Sequence, residues 1–406
     1  MLSTQQKEII KSTAPILEEK GTEITSRFYE MLFKNHPELL NIFNQTNQKK
    51  GRQQTALANS IIAAAHNIDQ LENIIPVVKQ IAHKHRSLGV LPEHYPIVGE
   101  HLLLAIQDVL GEAATDEIVN AWKDAYQVIA DVFIEIEDNM YKEAENQAGG
   151  WSGYKPFFVD QKIQESDEIT SFYLKPVDET PLPAFQPGQY IGVELTIPGD
   201  TYRHIRQYSL SDAPNKPYYR ISVKRDGEGS VSNYLHDDIK EGDTLPVSAP
   251  AGDFVLDFNK NTPVVLLSGG VGLTPLTSML NTVVKNQPER EVIFIQAARN
   301  GNVHGLKEEI AQLSNNNENI TSYIVYSEPT EADRKDGNHD KEGIITFEWL
   351  QEVLPHNEMD YYFCGPEPFM DTVYNALKQL GAAEEQINFE FFGPAKPLEI
   401  KQNVNV

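Results

Sequence analysis

A chain of 406 residues is too long for one hydrophobic core and is expected to divide into two or three domains. Its 40% hydrophobic and 23% charged residues match folded, water-soluble protein; no apolar run approaches the ~20 residues of a membrane span, and the polar start Leu2 to Lys7 has no signal-peptide core, so a cytoplasmic protein without an integral membrane segment is expected. A net charge of −25 argues against nucleic acid as a partner, because phosphate binding draws its affinity from Lys and Arg, and the single cysteine, Cys364, excludes an intrachain disulfide and a chain-borne iron–sulfur cluster.

From Leu2 to about Glu145 the pattern is helical, with breaks expected at Gly21, Pro37, Gly51, Pro76, Pro92, Pro96 and Gly111 to Thr115. The clearest helix carries Ile118, Trp122, Ala125, Ile129, Phe133 and Ile136 at three- and four-residue intervals; Glu135 is hard to place on it. In Val78-Ile81-His85-Leu88 a histidine lies on an apolar stripe, as a satisfied core residue or as a ligand. Gln53 and Leu57 are four apart on an earlier helix, Tyr29 follows Phe28, and Phe43 follows the short Pro37 to Leu40 turn.

The run Asn146 to Gly153, with paired glycines, is a linker. Beyond it, from Phe157 to about Asp257, short strands are expected at Gln189 to Leu195, Ile205 to Leu210, Tyr219 to Lys224 and Phe254 to Phe258, which predicts a small antiparallel barrel. Within it, Tyr190 and Arg206-Gln207-Tyr208-Ser209 offer aromatics, a cation and a hydroxyl placed alternately on a predicted strand, which suits a ligand with a flat ring and an anionic tail or is an ordinary amphipathic strand. Gly229 to Leu235 reads as a glycine turn entering a short helix, where amides and the Ser232 hydroxyl suit a pyrophosphate or merely cap the helix.

From Thr262 a buried strand, Pro263 to Ser268, runs into Gly269-Gly270-Val271-Gly272-Leu273-Thr274-Pro275 and then a helix, with Pro275 in its first turn. Apolar runs at Glu291 to Gln296, Ile320 to Tyr326 and Tyr361 to Cys364 alternate with helical stretches and predict a parallel α/β sheet, whose glycine turn can approach a dinucleotide phosphate. Cys364-Gly365-Pro366 ends the last of these strands; the thiol suits a place beside a nicotinamide ring, or is a buried structural group.

Taken in order, Tyr29, Phe43, Gln53, Leu57 and His85 resemble the globin family across the whole N-terminal helical region. Tyr190, Arg206 to Ser209, the Gly229 turn, the Gly270 to Pro275 loop and Cys364-Gly365-Pro366 resemble the ferredoxin-reductase family of FAD and NAD(P)H enzymes over roughly the last 250 residues. A globin fused to such a reductase resembles the flavohaemoglobin family. The resemblance implies three domains: an all-α globin at 1–146, an antiparallel β-barrel for FAD at 151–259, and an α/β parallel-sheet domain for NAD(P)H at 260–406.

It also implies roles. His85 would ligate the iron of haem b, with Phe43 packed on the porphyrin and Tyr29, Gln53 and Leu57 lining the gas-binding side. Tyr95 and Glu135 would be the proximal pair bonded to the haem histidine, and Lys84 and Glu390 charged positions between haem and flavin. Tyr190, Arg206, Gln207, Tyr208, Ser209 and the terminal Phe391-Phe392-Gly393-Pro394 would bind FAD, and Gly270 to Pro275 the NAD(P)H. The implied activity is nitric oxide dioxygenation: electrons pass from NADH or NADPH through FAD to haem, and O2 and nitric oxide become nitrate; a monomer is expected. Ala297-Ala298-Arg299-Asn300 departs from an NADH pattern, since an arginine there suits a 2′-phosphate. Rival readings are a haem-based gas sensor or oxygen store with an attached reductase, an alkyl hydroperoxide reductase, and a haem-free flavin reductase with a helical docking domain.

Overall fold

The computed structural model describes residues 2–44, 48, 50–355 and 358–393. The chain forms two compact units, residues 1–154 with 192–206, and residues 155–191 with 207–406.

The first unit is built on helices Thr4–Asn35 (α1), Arg52–His66 (α2), Ile75–Leu88 (α3), His94–Leu110 (α4) and Asp116–Asn146 (α5). Ser3 and Thr115 cap the two long ones with side-chain oxygens on backbone amides. Pro76 stands at the start of α3 and Gly111 closes α4, as expected, but the break expected at Gly21 does not occur. Helix α1 runs straight through it, because this glycine serves packing: a Cβ there would lie 3.3 Å from the Ala58 Cβ of α2. Without a side chain at that point the two helices approach closely. Ile10, Leu17, Ile24, Phe28, Leu32, Ile106 and Trp122 form the buried centre, and the Trp122 indole N–H donates to Thr13 Oγ1 at 3.1 Å.

The second half of the chain holds two six-stranded sheets. Strands Tyr154–Gln164 (β1), Ile169–Pro176 (β2), Tyr190–Leu195 (β3), His204–Ser209 (β4), Tyr219–Lys224 (β5) and Thr244–Ser248 (β6) pair in the order β4-β3-β6-β1-β2-β5. The β1–β2 and β2–β5 pairs are antiparallel, and Phe157 stacks on Tyr219 at 5.9 Å between ring centres. Phe254 to Phe258 is not a strand, contrary to the sequence expectation. Its alternating Phe254 and Leu256 have another use, as buried members of the core beneath the parallel sheet, with Phe258 packed against them. The helix Ser230–Asp237 (α6) sits between β5 and β6.

The second sheet comprises Val264–Gly269 (β7), Val292–Ala298 (β8), Ile320–Tyr326 (β9), Lys341–Glu342 (β10), Asp360–Cys364 (β11) and Ile387–Glu390 (β12), in the order β10-β9-β8-β7-β11-β12 and parallel throughout. Every residue of β7 and β11 is buried, as expected for central parallel strands. After β7 the chain moves one way to β8, β9 and β10, then returns to β11 on the other side. That reversal makes the β7–β11 crevice, outside the C-terminal strand ends, the place where such sheets bind ligands. Helix Leu273–Asn286 (α7) follows β7 directly, and Glu367–Gln379 (α8) follows β11.

Candidate functional site

Helix α3 presents His85 to helix α5. His85 Nδ1 lies 2.7 Å from Glu137 Oε1 and 3.2 Å from the Tyr95 hydroxyl, and Tyr95 donates to the same Glu137 oxygen at 2.6 Å. The partner carboxylate is therefore Glu137, not Glu135. Glu135 is exposed, while Glu137 is 3% exposed. The reason is helical phase: Phe133, whose ring lies 5.8 Å from that of His85, and Glu137 are four residues apart and share a face, whereas Glu135 is two residues on and turned away. A carboxylate this deeply buried needs its hydrogen bonds, and here both donors meet one oxygen.

Tyr95 is itself held from behind, its carbonyl accepting the Tyr126 hydroxyl at 2.7 Å. Burial first, and the Glu137 charge second, raise the Tyr95 hydroxyl well above the ordinary tyrosine value, so it stays protonated and remains a donor. With Nδ1 engaged by the carboxylate, the imidazole is fixed in the tautomer whose Nε2 lone pair points away from Glu137, and Nε2 has no protein partner among the described residues. A histidine prepared in this way is suited to ligate a metal ion, and its bonded carboxylate would make it more electron-donating.

The expected gas-side residues lie on α1 and α2. Tyr29 is 7% exposed, its ring 5.7 Å edge-on from Phe43, which also packs on Phe33 at 5.3 Å. Burial raises its hydroxyl pKa, and a hydrogen bond with Gln48 opposes this. Leu57 packs against the helical core, and Gln53 Oε1 is buried without a hydrogen-bond partner among the described residues. A buried amide oxygen and a histidine nitrogen, each without a partner among the described residues and both in the same helical unit, fit a bound prosthetic group. Lys84 is half-buried on α3, beside His85.

Strand β4 holds the flat-ring candidates. Arg206, Gln207 and Tyr208 are consecutive half-buried polar residues and Ser209 is buried, whereas five of the six residues of β5 in the same sheet are buried. A strand that leaves three such side chains accessible at its middle fits a ligand laid along it. Tyr190 opens β3, its N–H donating to the Ala251 carbonyl at 2.8 Å. Ser232 is placed differently from its expected phosphate role: its hydroxyl donates to the Gly229 carbonyl at 3.1 Å and accepts from Asp226 N–H at 3.0 Å, closing its own loop. The described part of the C-terminal segment holds Glu390 at the end of β12, Phe391 packed into the core and Phe392 47% exposed; Gly393 is the last described residue, and Pro394 lies outside the described residues.

At the β7–β11 crevice, Gly270 to Gly272 form a single 3-10 turn and Leu273, Thr274 and Pro275 the first turn of α7. Gly270 has φ of +55°, and a Cβ on Gly272 would lie 2.1 Å from the Cys364 carbonyl oxygen. The two strand ends thus touch backbone to backbone, with the amides of Val271 to Thr274 at a helix start. The Cys364 thiol is fully buried, and that burial, with Glu390 beside it in the neighbouring strand, pushes its pKa well up.

Sequence reasoning missed Glu137, Phe133's contact with the histidine ring and Tyr126. The four-residue step from Phe133 was the available signal for Glu137.

Three family models match the chain in succession: a globin model over residues 26–133, an oxidoreductase FAD-binding domain over 156–256, and an oxidoreductase NAD-binding domain over 266–375. A flavohemoprotein of Bacillus thuringiensis subsp. konkukian is 58% identical over 404 residues, covering 98% of this chain and all of the relative. The flavohemoprotein of Bacillus subtilis is 57% identical, with each chain fully covered. Among solved structures, a flavohemoglobin from Malassezia yamatoensis with bound FAD and heme superposes with a TM-score of 0.85 at 28% identity, covering 97% of this chain and all of the other. The FAD/NAD-binding domain of a nitric oxide dioxygenase from Vibrio cholerae matches 59% of this chain and 99% of its own, at 40% identity and a TM-score of 0.54.

Proposed function

Since the chain belongs to the flavohaemoprotein family, we propose that it is a nitric oxide dioxygenase, which joins nitric oxide to O2 and drives the cycle with NAD(P)H. The cofactors are haem b, FAD and NAD(P)H, and when bound they supply hydride acceptance, single-electron transfer and O2 activation. Each nitric oxide, with one O2 and one electron, balances as nitrate, so each hydride serves a pair of turnovers. The small-molecule partners are accordingly O2, nitric oxide and NAD(P)H. No described helix is long and apolar enough to cross a membrane, and a nicotinamide donor favours the cytoplasm as the site of action.

The observation that carries this reading is the His85–Glu137–Tyr95 cluster. In it the chain orients an imidazole, keeps its Nδ1 proton shared with an anion, and leaves Nε2 for iron. His85, made electron-rich by Glu137, would hold the haem iron and favour O2 chemistry over simple carriage. Tyr29 and Gln53 would hydrogen-bond a gas ligand, with Leu57 and Phe43 keeping water out. On β4, Arg206 supplies charge for a pyrophosphate, with Tyr208 and Phe392 as the aromatic candidates for the flavin ring. The amides after Gly270 take the nicotinamide dinucleotide. We assign these tasks to ranges 1–146, 151–259 and 260–406.

The test is NADH oxidation by the holoprotein in air, with and without nitric oxide. Nitric oxide should accelerate it and yield nitrate in equal amount to nitric oxide consumed. Unaccelerated oxidation, or a product other than nitrate, would return the protein to the sensor or storage reading. No observation favours the hydroperoxide alternative.

A further inference from the structure

We propose that Glu168, on the β1–β2 turn of the flavin lobe, is a specificity residue of the nucleotide site that disfavours a 2′-phosphate by occupying Arg299. The proposal rests on the assignment of the β7–β11 crevice to the dinucleotide. Arg299 directly follows β8, the second strand of the parallel sheet, where a doubly wound dinucleotide fold meets the adenosine ribose. An acidic residue there holds the ribose hydroxyls, and an arginine receives a 2′-phosphate. The arginine alone therefore reads as an NADPH signal.

The structure reverses that reading. The Arg299 guanidinium is ion-paired through Nη2 to Glu168 Oε1, and the other Glu168 oxygen lies 3.2 Å from Lys224 Nζ. One carboxylate thus engages both cations. Both ends of the Arg299 pair remain accessible to a ligand, with side chains 53% and 25% exposed.

The backbone that carries Glu168 is held in place. The Glu168 carbonyl accepts Arg225 N–H at 2.7 Å, and its amide and that of Ile169 donate to Ser166 Oγ at 3.3 and 3.1 Å. On one side Asp167 N–H donates to the Asn302 carbonyl at 2.9 Å, in the loop that follows Arg299. On the other, Ile169 is 1% exposed within the nucleotide-lobe core, so close to Gly305 that a Cβ there would be 3.0 Å from Ile169 Cδ1. The turn is docked on the 299–306 loop from both sides of the carboxylate. A 2′-phosphate would have to displace this anion from Arg299 and then sit beside it, whereas a 2′-hydroxyl could share the Glu168 oxygens as an acid would.

The test uses full-length, FAD-loaded protein titrated calorimetrically with 5′-AMP and with adenosine 2′,5′-bisphosphate. The two probes share the 5′-phosphate, so their ratio isolates the 2′ position. Because an exposed ion pair is modest in strength, Glu168→Gln should raise affinity for the bisphosphate by roughly three- to tenfold and leave 5′-AMP within about twofold. The kcat/KM ratio of NADPH to NADH should move by the same factor. Adding Arg299→Ala to Glu168→Gln should abolish the gain. An unchanged ratio, an equal rise for both probes, or a gain that survives loss of Arg299 would overturn the proposal. If 5′-AMP binds no variant and not the parent, the nucleotide-site assignment itself fails and the proposal falls with it.

Discussion

Replacing Glu137 by Gln keeps the shape and one acceptor oxygen but removes the charge that His85 and Tyr95 both address. In the parent, Glu137 Oε1 lies 2.7 Å from His85 Nδ1 and 2.6 Å from the Tyr95 hydroxyl, and its side chain is only 4% exposed. A hydrogen bond to a charged group is worth about 1.5–3 kcal/mol against about 0.5–1.5 kcal/mol for a neutral one, so neutralising the acceptor weakens the histidine's bond by about 1–1.5 kcal/mol. The anion favours the more positive, oxidised iron. Its loss should therefore raise the haem reduction potential, by about 40–65 mV if the whole difference falls on the oxidised state, at ~59 mV per tenfold for one electron. The assay is a spectroelectrochemical titration of the holoprotein, with Glu135→Gln as companion. Glu135 is exposed, so its variant should titrate like the parent. An unmoved potential in Glu137→Gln, or a matching rise in Glu135→Gln, would refute the reasoning.

His85→Ala should yield folded protein without haem that still binds FAD and reduces artificial dyes with NADH; full haem content with an unchanged spectrum would show another ligand. Gly272→Ala must push against the Cys364 carbonyl, 2.1 Å from the new carbon, so flavin reduction by NADH should fall more than about tenfold with haem and FAD contents intact; parental stopped-flow rates would deny the loop its role. Tyr29→Phe removes one buried hydroxyl and little volume, so O2 release from the reduced holoprotein should quicken about tenfold or more, the consequence of losing a charge-assisted bond worth about 1.5–3 kcal/mol, while cofactor contents stay constant. Release at the parental rate would make Tyr29 a packing residue.

What could be read from the sequence was what short-range rules govern. The strand, glycine turn and helix around Gly270 are contiguous, and β7 and α7 lie where the hydrophobic run and Pro275 place them. His85 stood out because an apolar stripe carried a titratable ring. Gly21 misled because a glycine in a helix carries the same letter whether it ends the helix or admits a neighbour; only the Ala58 side chain of α2, absent from any local window, distinguishes the two. Phe254 to Phe258 misled likewise: alternation of apolar residues signals a buried face, and here the face belongs to an extended connection packed under the other sheet.

The confusion of Glu135 with Glu137 has a different origin. The two have the same chemistry and flank one isoleucine, so composition cannot separate them, but a helix turns about 100° per residue and places them about 200° apart. Taking the stripe through Phe133 to its next member, four residues on, selects Glu137; taking it through Ile136 leaves both acids at its edges. The structure decides for Phe133 because its ring faces both His85 and Tyr95, at 5.8 and 6.2 Å. Arg299 carries the same lesson across a longer distance. Its meaning for nucleotide choice depends on Glu168, 131 positions earlier, which reaches it only because Ile169 and Asp167 anchor a barrel turn on the neighbouring loop. Residue type fixes what a side chain can do, and the partner that folding brings to it fixes which of those things it does.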